Sequence, residues 1–214
     1  MLTLYTYFRS SAAYRVRIAL NLKGLPYESV PVHLLRDGGE QHSADYARLN
    51  PAELVPTLVD GECALGQSLA IIEYLDEVHP IPPLLPGNAL ERARIRALAQ
   101  SIACDMHPLN NLRVLQYLSR EHQLDEAAKA TWVRHWITLG FTALEAQLQH
   151  VSTSVFCHGD TPTLADCCLV PQLFNARRFA TPLERFPTLC RIEAACLALD
   201  AFQRAAPEAQ ADAA

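Results

Sequence analysis

The sequence predicts a small mixed α/β domain followed by an all-helical one. Three observations carry that expectation. Residues 1–80 mix strand and helix signals, and nearly everything after residue 88 has helical character. Between them Pro80, Pro82, Pro83 and Pro86 crowd four prolines into seven residues, which can continue neither a helix nor a central strand. The division expected is therefore residues 1–80, a proline-rich linker over 81–88, and a helical domain over 89–214. A chain of 214 residues has room for two such cores.

Residues 2–7 read as an apolar strand, after which Arg9-Ser10-Ser11-Ala12-Ala13 places small hydroxyls at the mouth of a helix. That helix carries Val16, Ile18, Ala19 and Leu22 as apolar positions, with Arg15 and Arg17 interleaved, and Lys23-Gly24 supplies a cationic last turn and a C-cap glycine. A second strand over residues 28–32 completes β-α-β, implying a parallel pair with a right-handed crossover. A more polar helical stretch follows, then residues 57–65 read as two short strands around the Asp60-Gly61 turn. A last helix runs from Ser68 with Leu69, Ile72 and Leu75 on one face. The order β-α-β-α-β-β-α is that of a thioredoxin-like domain.

In the second part, helical patterns near residues 90–120, 125–149, 164–178 and 187–199 predict a bundle. Thr163 and Asp166 form a Thr-x-x-Asp capping arrangement whose job is folding. The alanine-rich tail over residues 205–214 lacks an apolar pattern and is expected to fray.

Composition excludes several classes. The net charge of −5 and the absence of any Lys/Arg block argue against nucleic-acid binding. No apolar run approaches the roughly 20 residues a bilayer span needs. Seven cysteines without a regular framework fit reduced thiols and a cytoplasmic location. No cluster has metal-ligand spacing, so no metal is expected.

A helix N-terminus gathers unpaired N–H groups and the positive end of the helix dipole, which favours an anion or a thiolate. Serine is also a favoured N-cap, so the residues alone leave open whether Ser10 or Ser11 does more than cap.

The run from Tyr7 to Leu20, Asn50-Pro51 with Leu54-Val55-Pro56-Thr57-Leu58, Gln67-Ser68-Leu69-Ala70-Ile71-Ile72-Glu73-Tyr74-Leu75, Asp105-Met106-His107-Pro108-Leu109-Asn110-Asn111 and the Thr163 cap together resemble the cytosolic glutathione transferases. More narrowly they resemble the zeta class, which includes maleylacetoacetate and maleylpyruvate isomerases. The resemblance covers essentially the whole chain. It departs at Ala12, where the class motif commonly has cysteine. Loss of that cysteine spares a reaction whose sulfur comes from glutathione.

The resemblance implies glutathione as cofactor and assigns its contacts. Ser10, with Ser11 beside it and Ala12 in the same turn, would lower the pKa of a thiol that is otherwise about 8.5. Val55-Pro56 would be a cis peptide presenting the Val55 backbone to the cysteinyl part of the tripeptide. Gln67 and Ser68 would take the γ-glutamyl carboxylate, Gln41 the glycyl end, and Asp105, His107 and Asn111 would complete the site. The implied substrate is a dianionic cis-enone diacid. Arginine grips carboxylates bidentately, so Arg9, Arg113 and Arg178 are the candidates for that contact; of the neighbours Arg177 and Arg178, about 100° apart on a helix, one would serve. Most of the 18 basic residues would be ordinary surface, and a lone histidine such as His107 is as readily a packed one.

Four readings compete with a maleylacetoacetate isomerase. Maleylpyruvate as substrate is suited by Arg113, while the Arg36-Asp37-Gly38-Gly39 loop suits maleylacetoacetate, which is put first. A general glutathione transferase or dehalogenase would need an apolar pocket, against which the arginines argue. A non-catalytic binding protein would be expected to have lost Ser10, Pro56, Gln67 or Ser68. A thiol oxidoreductase needs a cysteine in the first active-site turn, and residues 1–62 contain none. The family further implies a homodimer.

Overall fold

The first strand, β1 (Leu2–Thr6), alternates buried Leu2, Leu4 and Thr6 with half-buried Thr3 and Tyr5, as a strand covered more heavily on one face must. It pairs parallel with β2 (Tyr27–Pro31) and antiparallel with β3 (Thr57–Asp60), which pairs antiparallel with β4 (Cys63–Gly66). The sheet order is β2-β1-β3-β4, with Leu4 opposite Ser29 on one side and Leu58 on the other. The β3-β4 hairpin turns at Gly61, whose φ of +59° suits glycine. The computed structural model describes residues 1–149 and 155–213.

The crossover from β1 to β2 is α1 (Ser11–Leu22), which buries Val16, Ile18, Ala19 and Leu20 completely. Gly24 follows it at φ +63°. Lys23 does not act as the surface cation expected of a last turn. Its ammonium is buried and donates to Asp76 at 2.7 Å, to the His79 carbonyl at 2.7 Å and to the Pro82 carbonyl at 2.8 Å. Two short 3₁₀ turns, Arg36–Gly38 and Glu40–His42, lead into α2 (Ala44–Leu49), and α3 (Ser68–Val78) buries Ile71, Ile72 and Leu75. The thioredoxin-like order is the one the sequence predicts.

Two compact units emerge, residues 1–85 with 197–214, and residues 86–196. The C-terminal segment thus belongs with the first unit, not with the helical domain over 89–214 in which the sequence places it. Its helix α9 (Asp200–Ala205) packs on α1, burying Phe202 completely, and Asn21 donates to the Ala201 carbonyl at 3.0 Å. The expectation of a frayed tail is corrected here. Pro207 and Ala205 are buried, a 3₁₀ turn spans Pro207–Ala209, and the Ala213 N–H donates to the Gln210 carbonyl at 3.1 Å. Ala214 lies outside the described residues.

The helical unit contains α4 (Ala89–Gln100), α5 (Leu112–His122), α6 (Glu126–Gln149), α7 (Leu164–Arg178) and α8 (Pro187–Leu197). The continuous helix expected over residues 90–120 is broken. A π-helical turn (Ser101–Met106) and a 3₁₀ turn (His107–Asn110) intervene before Asn111, extended at φ −65°, ψ 145°, caps α5. Pro108, which has no N–H to give to the preceding turn, ends the helical run that α4 and the π turn make together. Buried Met106 packs against Gly140 of α6, where an added Cβ would lie 2.3 Å from Met106 Cε. The Thr163 capping box forms as predicted, and fully buried Asp166 accepts from the Thr163 N–H, the Thr163 hydroxyl and the Cys157 N–H, each at 2.8 Å. Among the described residues no helix is long and apolar enough to cross a membrane.

Candidate active site

In the first unit the predicted residues gather around two helix N-termini and one loop. The backbone of the turn from Tyr7 to Ser10 closes on itself, the Ser10 N–H donating to the Tyr7 carbonyl at 2.9 Å. Ser10 is the N-cap of α1 and its Oγ accepts from the Ala13 N–H at 3.2 Å. That bond uses one lone pair and leaves the hydroxyl hydrogen to donate elsewhere. Capping and thiol activation, alternatives in the sequence, are therefore compatible in one side chain. Ser11 is the first helical residue and buried, whereas Ala12 is half-buried in the same turn.

Arg9 is held by its neighbours. Its Nη2 donates to the Tyr7 hydroxyl at 3.0 Å and its guanidinium carbon lies 5.2 Å from the Phe8 ring centroid and 5.8 Å from that of Tyr7. The two rings meet edge to face at 4.9 Å. A guanidinium resting on aromatic faces is oriented while its remaining donors stay available.

Val55-Pro56 is cis, as the resemblance implies. Tyr7, Val32, Tyr46 and Val55 share one buried cluster, which sets the Arg9 turn beside the Val55 segment. The carbonyl of Leu54 accepts from the Tyr46 hydroxyl at 2.7 Å and from the Asn50 amide at 2.8 Å. Asn50 in the Asn-Pro pair is thus a structural support of that segment.

At the start of α3, Gln67 is exposed and takes φ +67°. A non-glycine residue there is strained and is a pointer to function. Ser68 is buried and its Oγ accepts from Nη1 of Arg15 at 3.2 Å. Gln41 is buried as well. Its Nε2 meets His42 Nε2 at 3.0 Å, and His42 in turn pairs with Glu53. The side-chain oxygen of Gln41 has no protein donor, which suits it to an N–H of a bound peptide.

The sequence reading missed the roles of Arg15 and Arg17. Both are at most 2% exposed. Arg17 Nη1 donates to the Thr6 hydroxyl at 2.9 Å and Nη2 to the Phe8 carbonyl at 2.9 Å, so it braces the turn that carries Arg9 and Ser10. Burial lowers its pKa to about 10, opposed by the nearby Tyr27, Asp212 and Tyr14. Two arginines inside an otherwise apolar helix were the available signal. Together with the α1 and α3 N-termini they make this a cationic, donor-rich site fit for an anionic peptide and its thiolate.

In the helical unit, Asp105 is exposed in the π turn, His107 is half-buried in the 3₁₀ turn, and Asn111 caps α5 by accepting from the Arg113 N–H at 3.1 Å. These and exposed Arg113 fall within nine residues of chain. Arg178 is exposed at the end of α7, its guanidinium carbon 5.6 Å from the Phe179 ring centroid. Its neighbour Arg177 is committed to Glu193 through a two-pronged pair, one prong at 2.5 Å. Among the described residues no group of His, Cys, Asp or Glu could hold a metal.

Residues 4–83 match the family model described as glutathione S-transferase, N-terminal domain. A protein of Vibrio cholerae named probable maleylacetoacetate isomerase is 56% identical over 212 residues, covering 99% of this chain and 98% of its own. A holo structure of maleylpyruvate isomerase, described as a bacterial zeta-class glutathione S-transferase, superposes with TM-score 0.96 at 50% identity, covering 99% of this chain and all of the other. The maleylacetoacetate isomerase of Methylobacterium extorquens, solved with malonate and glutathione bound, superposes with TM-score 0.95 at 42% identity over 99% of each chain.

Proposed function

This chain belongs to the glutathione S-transferase family, in the zeta class of maleylacetoacetate and maleylpyruvate isomerases, and from that membership we propose that it is a glutathione-dependent cis-trans isomerase acting on maleylacetoacetate. The single observation that carries the reading is the pairing of Arg9 and Ser10 in one braced turn, a cation for a dianionic substrate next to a hydroxyl that can stabilise a thiolate.

Bound in this site, glutathione supplies the thiolate that adds reversibly to the cis double bond, frees it to turn, and leaves. The protein's own residues prepare that chemistry. Ser10 donates its remaining hydrogen toward the sulfur at the α1 N-terminus, favouring the charged form. Ser68 and Gln67, at the α3 N-terminus, hold the γ-glutamyl carboxylate with the charge of Arg15 behind it, and Gln41 takes the glycyl end. Val55 presents its backbone to the cysteinyl part. Arg9 binds a substrate carboxylate and stabilises the negative charge that develops on a carbonyl during addition. Asp105, His107, Asn111, Arg113 and Arg178 are assigned to the remaining glutathione and substrate contacts. We further assign the chain a homodimeric state and the cytoplasm, the latter in keeping with its free cysteines.

Maleylpyruvate differs from maleylacetoacetate by a short acyl extension, which a pocket discriminates by about 1–3 kcal/mol. The test is turnover of both by the purified chain with and without glutathione, alongside an aryl halide. Glutathione-dependent isomerisation preferring maleylacetoacetate supports the proposal, and a preference for the aryl halide rejects it. Arg9→Ala should raise KM for the diacid about tenfold or more while sparing the neutral electrophile.

A further inference from the structure

The C-terminal segment ends on the turn that carries Arg9 and Ser10. Both polar groups of the Phe8 residue are held from outside the turn. Asp212 accepts the Phe8 N–H at 2.9 Å, and Arg17 donates to the Phe8 carbonyl at 2.9 Å. Arg17 spends further donors on the Thr6 hydroxyl, on the Tyr7 carbonyl at 3.3 Å and, from Nε, on the Ala205 carbonyl at 3.0 Å. The segment is itself braced, because Gln210 Nε2 donates to the Arg204 and Ala206 carbonyls at 2.9 Å each, folding the chain back after α9. Asp212 also supplies negative charge toward the buried Arg17 cation.

We propose that Asp212 is a positioning residue for diacid binding: by holding the Phe8 peptide, the C-terminal segment fixes the ring against which Arg9 rests and so the direction in which Arg9 presents its cation. Arg9 lies closer to the Phe8 ring than to the Tyr7 ring, so a shift of Phe8 reaches it directly. Ser10 is anchored separately, by the Tyr7 carbonyl and as the α1 cap, and the effect therefore falls on the diacid and not on glutathione. The inference rests on the isomerase reading for its natural substrate, though dicarboxylate binding tests it without turnover.

The experiment uses full-length Asp212→Ala and Asp212→Asn. Malonate affinity of the glutathione-loaded protein and glutathione affinity are measured by calorimetry, KM and kcat on maleylacetoacetate by turnover, and exchange of the Phe8 amide by NMR. In Asp212→Ala, malonate affinity should fall and KM rise roughly tenfold, the scale of a lost hydrogen bond to a charged acceptor, with a fall in kcat besides because Arg9 also stabilises the charge that develops during addition, and with glutathione affinity within about twofold and faster Phe8 exchange. Asp212→Asn, which keeps one acceptor oxygen, should recover most of the malonate affinity. Unchanged malonate affinity, or an equal loss of glutathione affinity, overturns the proposal. If Asp212→Ala does not fold, wild-type malonate affinity together with wild-type Phe8 exchange in a variant that removes the acceptor isosterically, Asp212→Leu, overturns it equally. A wild-type protein that binds malonate but leaves maleylacetoacetate unchanged rejects the isomerase reading, and the malonate comparison still decides the role of Asp212.

Discussion

Nη1 of Arg15 donates to the Oγ of Ser68 at 3.2 Å, tying the first residue of α3 to a buried cation on α1. The bond occupies an acceptor site on the hydroxyl and leaves its hydrogen free to donate, while Arg15 adds positive charge behind the helix N-terminus.

Arg15→Met, which keeps bulk and removes the charge, should therefore weaken glutathione binding about tenfold, as should Ser68→Ala. Because the two act through one contact, the double variant should lose clearly less than the product of the two single losses. Calorimetric titration of glutathione against the three variants checks this, and full additivity would show the residues acting independently.

Replacing Ser10 by Ala removes two things. Loss of the bond to the Ala13 N–H should cost about 1 kcal/mol of stability, and loss of the hydroxyl donor should lower isomerisation at least tenfold, on the scale of one preorganised donor. The ultraviolet absorbance of bound thiolate should titrate at higher pH in Ser10→Ala than in the wild type. Ser10→Thr should retain both functions. A Ser10→Ala protein that is destabilised but titrates and turns over normally would confine Ser10 to capping.

Asp166 makes stability depend on pH in an unusual direction for a carboxylate. Burial raises its pKa above the ordinary 3.8, and the hydrogen bonds from Cys157 and Thr163 oppose that only in part. The folded protein thus holds this proton more tightly than the unfolded chain, and the stabilising contribution of Asp166 is full below the unfolded value and declines as pH rises through the folded one. Urea midpoints of wild type and Asp166→Asn between pH 4 and 7 should show the wild-type advantage shrinking as pH rises. An advantage that grows with pH would contradict the assignment.

Gly140→Ala tests the seat of the π turn. Glycine to alanine in an exposed helix usually stabilises by about 1 kcal/mol, but here the new methyl would sit 2.3 Å from Met106 Cε and 3.1 Å from its Cγ and Sδ. With Met106 buried, overpacking should reverse the sign, giving a loss of about 1–3 kcal/mol by urea unfolding. Combining Gly140→Ala with Met106→Ala should recover part of that loss relative to the sum of the singles.

The features legible in the sequence were those written by adjacent residues. Asp60-Gly61 marks its own hairpin, Thr163 and Asp166 mark their own cap, and Ser10 sits where a helix must begin. The positions hidden from it depend on partners far along the chain. Arg15 and Ser68 are 53 residues apart, and Arg17 and Ala205 are 188 apart; no local period separates an arginine facing water from one turned inward. The same limit concealed the ordered tail, whose small side chains are held by backbone acceptors, by Gln210 and by Asp212 more than by an apolar stripe. Pro108 marks the end of the helical run, but nothing marks the change to a π turn after Gln100, and the apolar pattern continues across both and reads as one helix.

Lys23 has a further consequence for how this protein can be handled. The sequence contains two lysines; the side chain of Lys23 is wholly inaccessible and that of Lys129 is 14% exposed beside Glu126. Acylating reagents should therefore spare Lys23 in the folded protein and reach it only when the contacts with Asp76, His79 and Pro82 open, so that modification of Lys23, read by peptide mass, reports loss of the fold around it.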